Sequence, residues 1–385
     1  MEDKIINKYI YINGPLNFFK LKKNNKTIYL FFDIHEPITK QQECENLYSI
    51  NIDKYLKHVF KNSTQTIDFL LETPEEFDPD TLALYNDDNH NFRYIEKLQK
   101  IYINNKNAQH NIRFHYIDIR FYSQLESISI LSKNNVDNLY KNKLTNFHIV
   151  INNLAKIIDI YENLLKIIQK YKDNDNIVDN KDTPNVTHII NKILTKYKNK
   201  ENKKKITNFF DEFCVNKIKF IIEKINNNMQ NYKDINTNNH NAYLQQHLNP
   251  VIKGKGYGKI IRLKNQVPNY DNMLFDIEQE IQYLDELCTD INSLIVDSYF
   301  LRRYIDKNYI NNAIVYAGTF HTITYLWFLV KHCDFEIIEY NFINNELSPL
   351  EFMKIIKKSE DMYDIHKYVI PKKFSQCISM KPINF

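Results

Sequence analysis

Acidic and histidine residues follow four short apolar runs of this sequence, at the point where each run ends. The runs and their polar residues are Thr27–Ile34 with Asp33 and His35, Thr66–Leu71 with Glu72, Ile112–Ile119 with His115, Asp118 and Arg120, and Ala313–Ala317 with Gly318 and His321. In open α/β sheets, ligands bind at the carboxyl ends of the strands. We therefore expect these residues to meet in one site.

The first two clusters carry acid–base or metal-binding chemistry. Asp33 and His35 are two residues apart, so their side chains share one face of an extended strand. A histidine beside a carboxylate can act as a general base or as a metal ligand. The alternative is an inert, hydrogen-bonded histidine at the start of a loop. Glu72 directly follows its strand, where a carboxylate can hold a metal ion or orient a histidine.

The third cluster favours binding of an anionic group. Asp118 and Arg120 share one strand face, whereas His115 points to the other. An arginine in this position can form a bidentate fork with an anion, and the alternative is an internal ion pair.

The fourth cluster lies where a strand turns into a helix. Gly318 allows a tight turn or a close backbone approach. The helix N-terminus adds free N–H donors and a partial positive charge. His321 can therefore meet an anion, an oxyanion or a metal-bound water, and the alternative is a helix-capping histidine.

The elements that position these clusters alternate along the first third of the chain. Helices are predicted at Ile52–Phe60 and Phe92–Tyr102, between the first three strands. This alternation is typical of a parallel sheet with crossover helices. Near the C-terminus, a helix over Thr322–Val330 and a strand over Phe335–Tyr340 follow the fourth run, and a last helix is predicted over Pro349–Tyr368 before an extended tail.

Residues 135–308 are dominated by helical periodicity. The predicted helices are Leu144–Tyr171, Val186–Tyr197, Ile206–Met229 and Asn272–Asp306. We therefore predict the α/β fold class, with a mostly parallel sheet, crossover helices and a large all-helical insertion. Residues 1–134 would form the N-terminal half of the α/β core, 135–308 the insertion, and 309–385 the C-terminal completion of the core and the tail.

Charge gives little support to nucleic acid as a partner. The chain has 51 Lys and Arg against 47 Asp and Glu, a net charge of +4. One glycine-rich basic stretch, Lys253–Lys264, contains Lys255 and Tyr257, which can hold a phosphate and stack on a base. It lacks the P-loop spacing and equally fits a surface loop. The lysine-rich run Lys196–Lys205 reads as a solvated linker.

Cysteine use and hydropathy predict an intracellular protein without a membrane span. The five cysteines are far apart and form no C-x-x-C pair. This pattern predicts a reducing compartment and no disulfide framework. We find no signal-type N-terminus, and the apolar stretch Tyr325–Val330 is shorter than the roughly 20 residues of a membrane span.

Taken together, a strand ending in His, a second ending in Glu, a third with an Asp/Arg cluster and a late Gly-x-x-His resemble the TraB/TIKI and erythromycin-esterase-like superfamily. The resemblance covers residues 27–121 and 311–340. It implies an α/β hydrolase, metal-dependent in some members. It makes His35 and His321 the paired histidines, Glu72 the carboxylate and Arg120 the cation, with Asp118 beside it. The superfamily has glycine where this chain has Phe32.

Two functions follow as expectations. In a hydrolase, His35, Glu72 and His321 would hold a divalent metal ion or activate water directly, while Arg120 binds the developing negative charge. The alternative is a non-enzymatic viral interaction or virion protein on a decayed hydrolase fold, which Phe32 favours. The Asn-, Lys-, Ile- and Tyr-rich composition resembles uncharacterised proteins of large A/T-rich DNA viruses. A location in the host cytoplasm or the virion is therefore expected, with an unknown substrate.

Overall fold

The computed structural model describes residues 9–46, 48–73, 93–105, 111–120, 147–173, 186–195, 197–234, 270–372 and 375–385. The chain divides into two compact units. The first combines residues 1–119 with residues 299–385, and the second comprises residues 120–298. Every strand among the described residues belongs to the first unit.

Two sheets form the framework of the first unit. In chain order, the strands are β1 (Ile10–Asn13), β2 (Asn17–Lys23), β3 (Lys26–Asp33), β4 (Ile50–Asn51), β5 (Ile67–Leu71), β6 (Ile112–Tyr116), β7 (Asn312–Gly318), β8 (Glu336–Tyr340) and β9 (Cys377–Met380). The larger sheet has the order β6-β5-β7-β3-β2-β8, and the smaller one has the order β4-β1-β9.

The larger sheet is mostly parallel, as predicted. Strands β6, β5, β7 and β3 run parallel to one another, whereas β2 pairs antiparallel with both β3 and β8. Strand β7 comes late in the chain but lies between β3 and β5. Strand β7, from the C-terminal part of the chain, thus pairs with β3 and β5, which come from the N-terminal part.

Helices complete both units. In chain order they are α1 (Ile52–Asn62), α2 (Tyr94–Asn105), α3 (Phe147–Asp173), α4 (Val186–Leu194), α5 (Lys200–Phe209), α6 (Asn216–Asp234), α7 (Tyr270–Asp306), α8 (Thr319–Cys333), α9 (Pro349–Lys358) and α10 (His366–Val369). A π-helical segment, Phe210–Val215, joins α5 to α6. Short 3-10 turns cover Ile38–Lys40, Asn344–Glu346 and Met362–Ile365. Among the described helices, none has both the length and the apolar character that crossing a membrane requires.

The alternation of β5 decides which residues face the site. Ile67, Phe69 and Leu71 lie in the buried cluster that packs on α1 and α2. Because successive side chains of a strand point to opposite faces, Asp68 and then Glu72 are directed to the other face. There α8 packs against β3 and β7. Helix α8 is buried along most of its length, as expected of a helix within a core.

The predicted absence of disulfides is wrong. Cys44 and Cys377 form a disulfide that joins the segment after the first 3-10 turn to β9. The two cysteines are separated by 333 positions, so their spacing carries no signal. They meet because β9, in the tail that we predicted to be merely extended, pairs antiparallel with β1. The remaining cysteines, Cys214, Cys288 and Cys333, are buried and not disulfide-bonded.

Two further predictions need correction. The lysine-rich run is only in part a linker, because α5 already begins at Lys200. Its N-cap Asn199 accepts hydrogen bonds from the backbone N–H groups of Glu201 and Asn202, and this capping outweighs the solvated character of the run. The predicted last helix is interrupted where α9 ends at Lys358.

The predicted domain boundary between residues 134 and 135 lies outside the described residues.

Truncation of a core aromatic should test the packing of α1 on the larger sheet. Phe69 is fully buried, and its ring centroid lies 5.1 Å from that of Phe60 and 5.6 Å from that of Phe114. We expect Phe69→Ala to lower the free energy of unfolding by about 3–5 kcal/mol, measured by urea titration. Leu350→Ala on α9, where the residue is 68% exposed, is the control and should change it by less than about 0.5 kcal/mol. Equal effects of the two variants would contradict this packing.

Candidate functional site

A buried carboxylate at the end of β5 is the centre of the site. Glu72 is 6% exposed, and its backbone N–H donates to the carbonyl oxygen of Tyr316 (3.1 Å). Its Oε2 accepts a hydrogen bond from the backbone N–H of Gly318 (2.6 Å) and lies 3.4 Å from Nε2 of His35. Its Oε1 lies 3.1 Å from Nε2 of His321. Four residues that the sequence singled out are therefore within reach of one another.

Strand register explains this convergence. Asp33 lies opposite Gly318 in the β3–β7 pair, and Leu71 lies opposite Tyr316 in the β5–β7 pair. The carboxyl ends of the three parallel strands consequently stop at nearly the same level. His321 follows within the first turn of α8, which begins directly after β7.

His35 turns back over the strand end through an unusual backbone conformation. Its φ is +54°, in the left-handed region, which histidine adopts more readily than most residues. This turn places its Nδ1 at 2.6 Å from Oδ2 of Asp33. The His35 side chain is 29% exposed, against 6% for His321 and 4% for Glu72. His35 is thus the most accessible of these three side chains.

Gly318 is required for space and not for backbone freedom. Its φ is −55°, which any residue can adopt. A Cβ at this position would lie 2.9 Å from Nε2 of His35 and 3.2 Å from Oε2 of Glu72. Of the two roles considered for this glycine, the structure shows the close backbone approach and not the tight turn.

Contacts among the site residues set the ionisation of Glu72 and His35. They shift the pKa of each group in the direction opposite to the effect of burial. Burial would raise the pKa of Glu72, but the neighbouring His321 and His35 hold it well below its ordinary value. Burial would likewise lower the pKa of His35, but hydrogen bonds to Asp33 and Glu72 raise it to about 9. At neutral pH, Glu72 is therefore a carboxylate and His35 an imidazolium. A protonated His35 suits a general acid better than the general base that the sequence suggested.

The fit of a metal ion can be judged from the same contacts. Both Nε2 atoms lie at hydrogen-bond distance from the Glu72 carboxylate, which satisfies them as they stand. Within the described ranges, no group of three or more His, Cys, Asp or Glu side chains is arranged to hold a metal ion. The divalent metal therefore stays a prediction of the sequence, and no chemical step below depends on it.

His115 belongs to a second buried cluster. Its Nε2 lies 2.6 Å from Oδ1 of Asp68, and its Nδ1 lies 2.7 Å from Nη2 of Arg303. Arg113 forms a bidentate pair with the same carboxylate at 2.8 and 2.6 Å. Burial, with Arg303, lowers the pKa of His115, so a neutral ring donates its Nε2–H to Asp68. The predicted ligand-binding role of His115 has no counterpart among these contacts, which build an internal ion network.

The sequence interpretation missed two buried polar residues. Asp68 interrupts an apolar strand, and a buried charge needs a partner, so this signal was present. Gln376 lies next to β9, where its side-chain amide donates to the carbonyl oxygen of Gly14 (2.8 Å) and reaches Oδ1 of Asp33 (3.4 Å). A glutamine in a C-terminal tail gives no comparable signal.

The roles predicted for the remaining residues stay predictions. The prediction that Asp118 and Arg120 share a strand face is wrong, because β6 ends at Tyr116 and both residues lie beyond it. Arg120 is the first residue of the second unit. Lys255 and Tyr257 lie outside the described residues, as does the rest of the glycine-rich basic stretch. The prediction that they bind nucleic acid is therefore untested.

The fold and site define an α/β protein with an acid–histidine cluster at the carboxyl ends of parallel strands. Residues 10–385 match the model of a family described as "Family of unknown function (DUF5847)", and the chain belongs to this family. Its relatives include three proteins of Acanthamoeba polyphaga mimivirus. The uncharacterized protein R706 is 27% identical, over 96% of this chain and 95% of its own length. R161 is 27% identical over 98% of each chain, and R160 is 28% identical over 89% of this chain and 91% of its own length.

These relatives confirm the predicted likeness to uncharacterised proteins of large DNA viruses. No solved structure matches the chain. The matched family and the viral relatives give no support to the resemblance to TraB/TIKI and erythromycin-esterase-like proteins, which stays a prediction.

The protonation of His35 predicts a specific loss of stability at alkaline pH. The pKa of His35 is about 9 in the folded protein and about 6.5 in an unfolded chain. Its contribution is complete below pH 6.5 and is lost as the pH rises through 9. We expect this contribution to be roughly 2–3 kcal/mol, allowing for partial screening by solvent.

Urea titrations at pH 6.5 and pH 9 on chelator-treated protein measure this effect. His35→Asn is the matched variant, because asparagine tolerates the left-handed conformation. The wild type should lose more unfolding free energy between the two pH values than the variant does. Equal losses would show that His35 is not protonated in the folded protein.

Proposed function

We propose that Asp33, His35, Glu72 and His321 form the active site of a hydrolase. The observation that carries the proposal is the convergence of two histidines, from opposite ends of the chain, on one buried carboxylate. Burying a charged group among titratable partners is costly, and such clusters concentrate at functional sites. The sequence resemblance to TraB/TIKI and erythromycin-esterase-like hydrolases supports the same residues.

The two histidines take complementary roles in this proposal. His35 is the general acid, which donates its Nε2 proton to the leaving group, because Asp33 fixes the opposite ring nitrogen. His321, held by Glu72, is the base that accepts a proton from the attacking water. Hydrolysis adds water across one bond, so it requires one group of each kind. Two proton-transfer groups held in one site are the arrangement that such acid–base chemistry uses.

The departure from the superfamily pattern at Phe32 does not place a bulky group in the site. Phe32 is fully buried, and its ring centroid lies 5.5 Å from that of Phe19 in the neighbouring strand β2. The side chain thus packs in the core against a residue of the neighbouring strand. This position weakens the main sequence argument for a decayed, non-enzymatic fold.

The alternative remains a non-enzymatic viral interaction or virion protein that keeps this ion network for stability. One observation favours it: His35 is already engaged by carboxylates on both ring nitrogens. The two functions differ in what removal of a histidine does to activity and to folding.

His321→Ala separates the two. With a panel of carboxylic and phosphate esters, we expect the variant to lose activity by a factor on the order of 10²–10⁴ while its circular dichroism spectrum stays native. His58→Ala is the control, because His58 is an exposed histidine on α1, and it should retain wild-type activity. An inactive wild type, with a His321→Ala variant that fails to fold, would instead support the structural role.

The predicted divalent metal has its own test, which is independent of any substrate. The sequence prediction requires close to one metal ion per chain in the purified wild type, measured by elemental analysis. It also requires the loss of this metal in both His35→Ala and His321→Ala. A wild type without metal, in a preparation free of chelators, would contradict it and leave direct activation of water by the histidines.

A further inference from the structure

Gln376 connects the C-terminal strand to the candidate site. It is 2% exposed and is tied twice to Gly14, since its carbonyl oxygen accepts from the Gly14 N–H (2.9 Å) and its side-chain amide donates to the Gly14 carbonyl (2.8 Å). Gly14 has a φ of +122°, and a Cβ there would lie 2.8 Å from Cγ2 of Ile52. This anchor point is consequently rigid and specific to glycine.

The same side-chain amide reaches the acid that orients His35. Its nitrogen lies 3.4 Å from Oδ1 of Asp33, whereas Oδ2 of Asp33 binds His35. Gln376 therefore faces the carboxylate oxygen that His35 does not use. Because Asp33 is 1% exposed, the loss of one of its buried hydrogen-bond donors would be costly.

The disulfide holds this connection covalently. Cys377 directly follows Gln376 and lies opposite Asn13 in the β1–β9 pair. The backbone N–H of Cys44, the other half of the disulfide, donates to Oδ1 of Asn13 (2.8 Å). Both cysteines are partly exposed.

We propose that the Cys44–Cys377 disulfide is a redox control on the candidate site and that Gln376 is the positioning residue through which it acts. The catalytic consequence rests on the proposed hydrolase function, whereas the structural consequence does not. In the oxidised protein, the bond fixes the start of β9, and Gln376 holds Asp33 and thereby the ring of His35. In the reduced protein, Gln376 is held only non-covalently, by its two hydrogen bonds to Gly14 and by the short pairing of β9 with β1.

The chemical step requires a dithiol reductant. One thiolate of the reductant attacks a sulfur of the disulfide and forms a mixed disulfide, and the second thiol of the reductant then displaces the protein thiol. The Sγ–Sγ bond breaks, the protein gains two electrons and two protons, and the reductant leaves as a cyclic disulfide. Thiol titration under denaturing conditions follows the step, because the number of titratable thiols should rise from three to five.

Amide hydrogen exchange tests the structural consequence. We expect peptides covering residues 28–36 to exchange faster after reduction with dithiothreitol, because the segment that carries Asp33 and His35 loses a restraint. The Cys44→Ser/Cys377→Ser double variant should resemble the reduced protein and should not respond to dithiothreitol. Unchanged exchange over residues 28–36, with all five thiols titrated, would overturn the inference whether or not the protein is a hydrolase.

Gln376→Met tests the positioning role without touching the disulfide. Methionine keeps the length of the side chain but removes the amide donor. We expect faster exchange over residues 28–36 and a loss of kcat on the order of tenfold, with KM little changed. Ile12→Val, a buried change in the same small sheet, controls for general loosening and should keep wild-type kcat.

The two proposals fail in different ways. Absence of hydrolysis in the oxidised wild type would remove the hydrolase, while the exchange data would still decide the redox control. If the protein is active and Gln376→Met matches Ile12→Val in both exchange and kcat, Gln376 is not a positioning residue and the inference fails.

Discussion

The need to satisfy the buried charge of Glu72 is the constraint on which the rest of the site depends. A carboxylate with this little exposure is tolerated only when donors surround it. The donors are a backbone N–H at the start of α8 and two histidine rings. None is close to Glu72 in the chain, so the site exists only when β3, β5 and β7 lie side by side. The buried charge of Glu72 is therefore compatible only with this arrangement of the three strands.

The order of the strands brings the donors to Glu72 with few residues of unusual size or backbone conformation. Strand β7 lies between β3 and β5 and leads directly into α8. One connection thus delivers both the N–H of Gly318 and the ring of His321 to the carboxylate. The lack of a side chain at position 318 keeps the space that His35 needs. The left-handed backbone of His35 completes the arrangement from the other side.

Strand β5 supplies carboxylates to two clusters of different character. Asp68 is paired with Arg113, whose guanidinium does not release a proton at any ordinary pH, and with a neutral His115. Glu72 is paired with two imidazole rings, which can gain or lose a proton as a guanidinium cannot. The first cluster is suited to holding β5 and β6 together. The second combines the same kind of burial with groups that can change charge, as acid–base chemistry requires.

The sequence by itself determined the central strands, the helices that follow them and the polar residues at the strand ends, because alternation and helical periodicity are local properties. Through the strand-end rule it also brought His35, Glu72 and His321 together. Only the tertiary structure decided the strand order, the pairing of β9 with β1, the Cys44–Cys377 disulfide and the contact of Gln376 with Asp33. It also decided that contacts with Asp33 and Glu72 raise the pKa of His35. These features depend on contacts between residues far apart in the chain, whose energies no local pattern records.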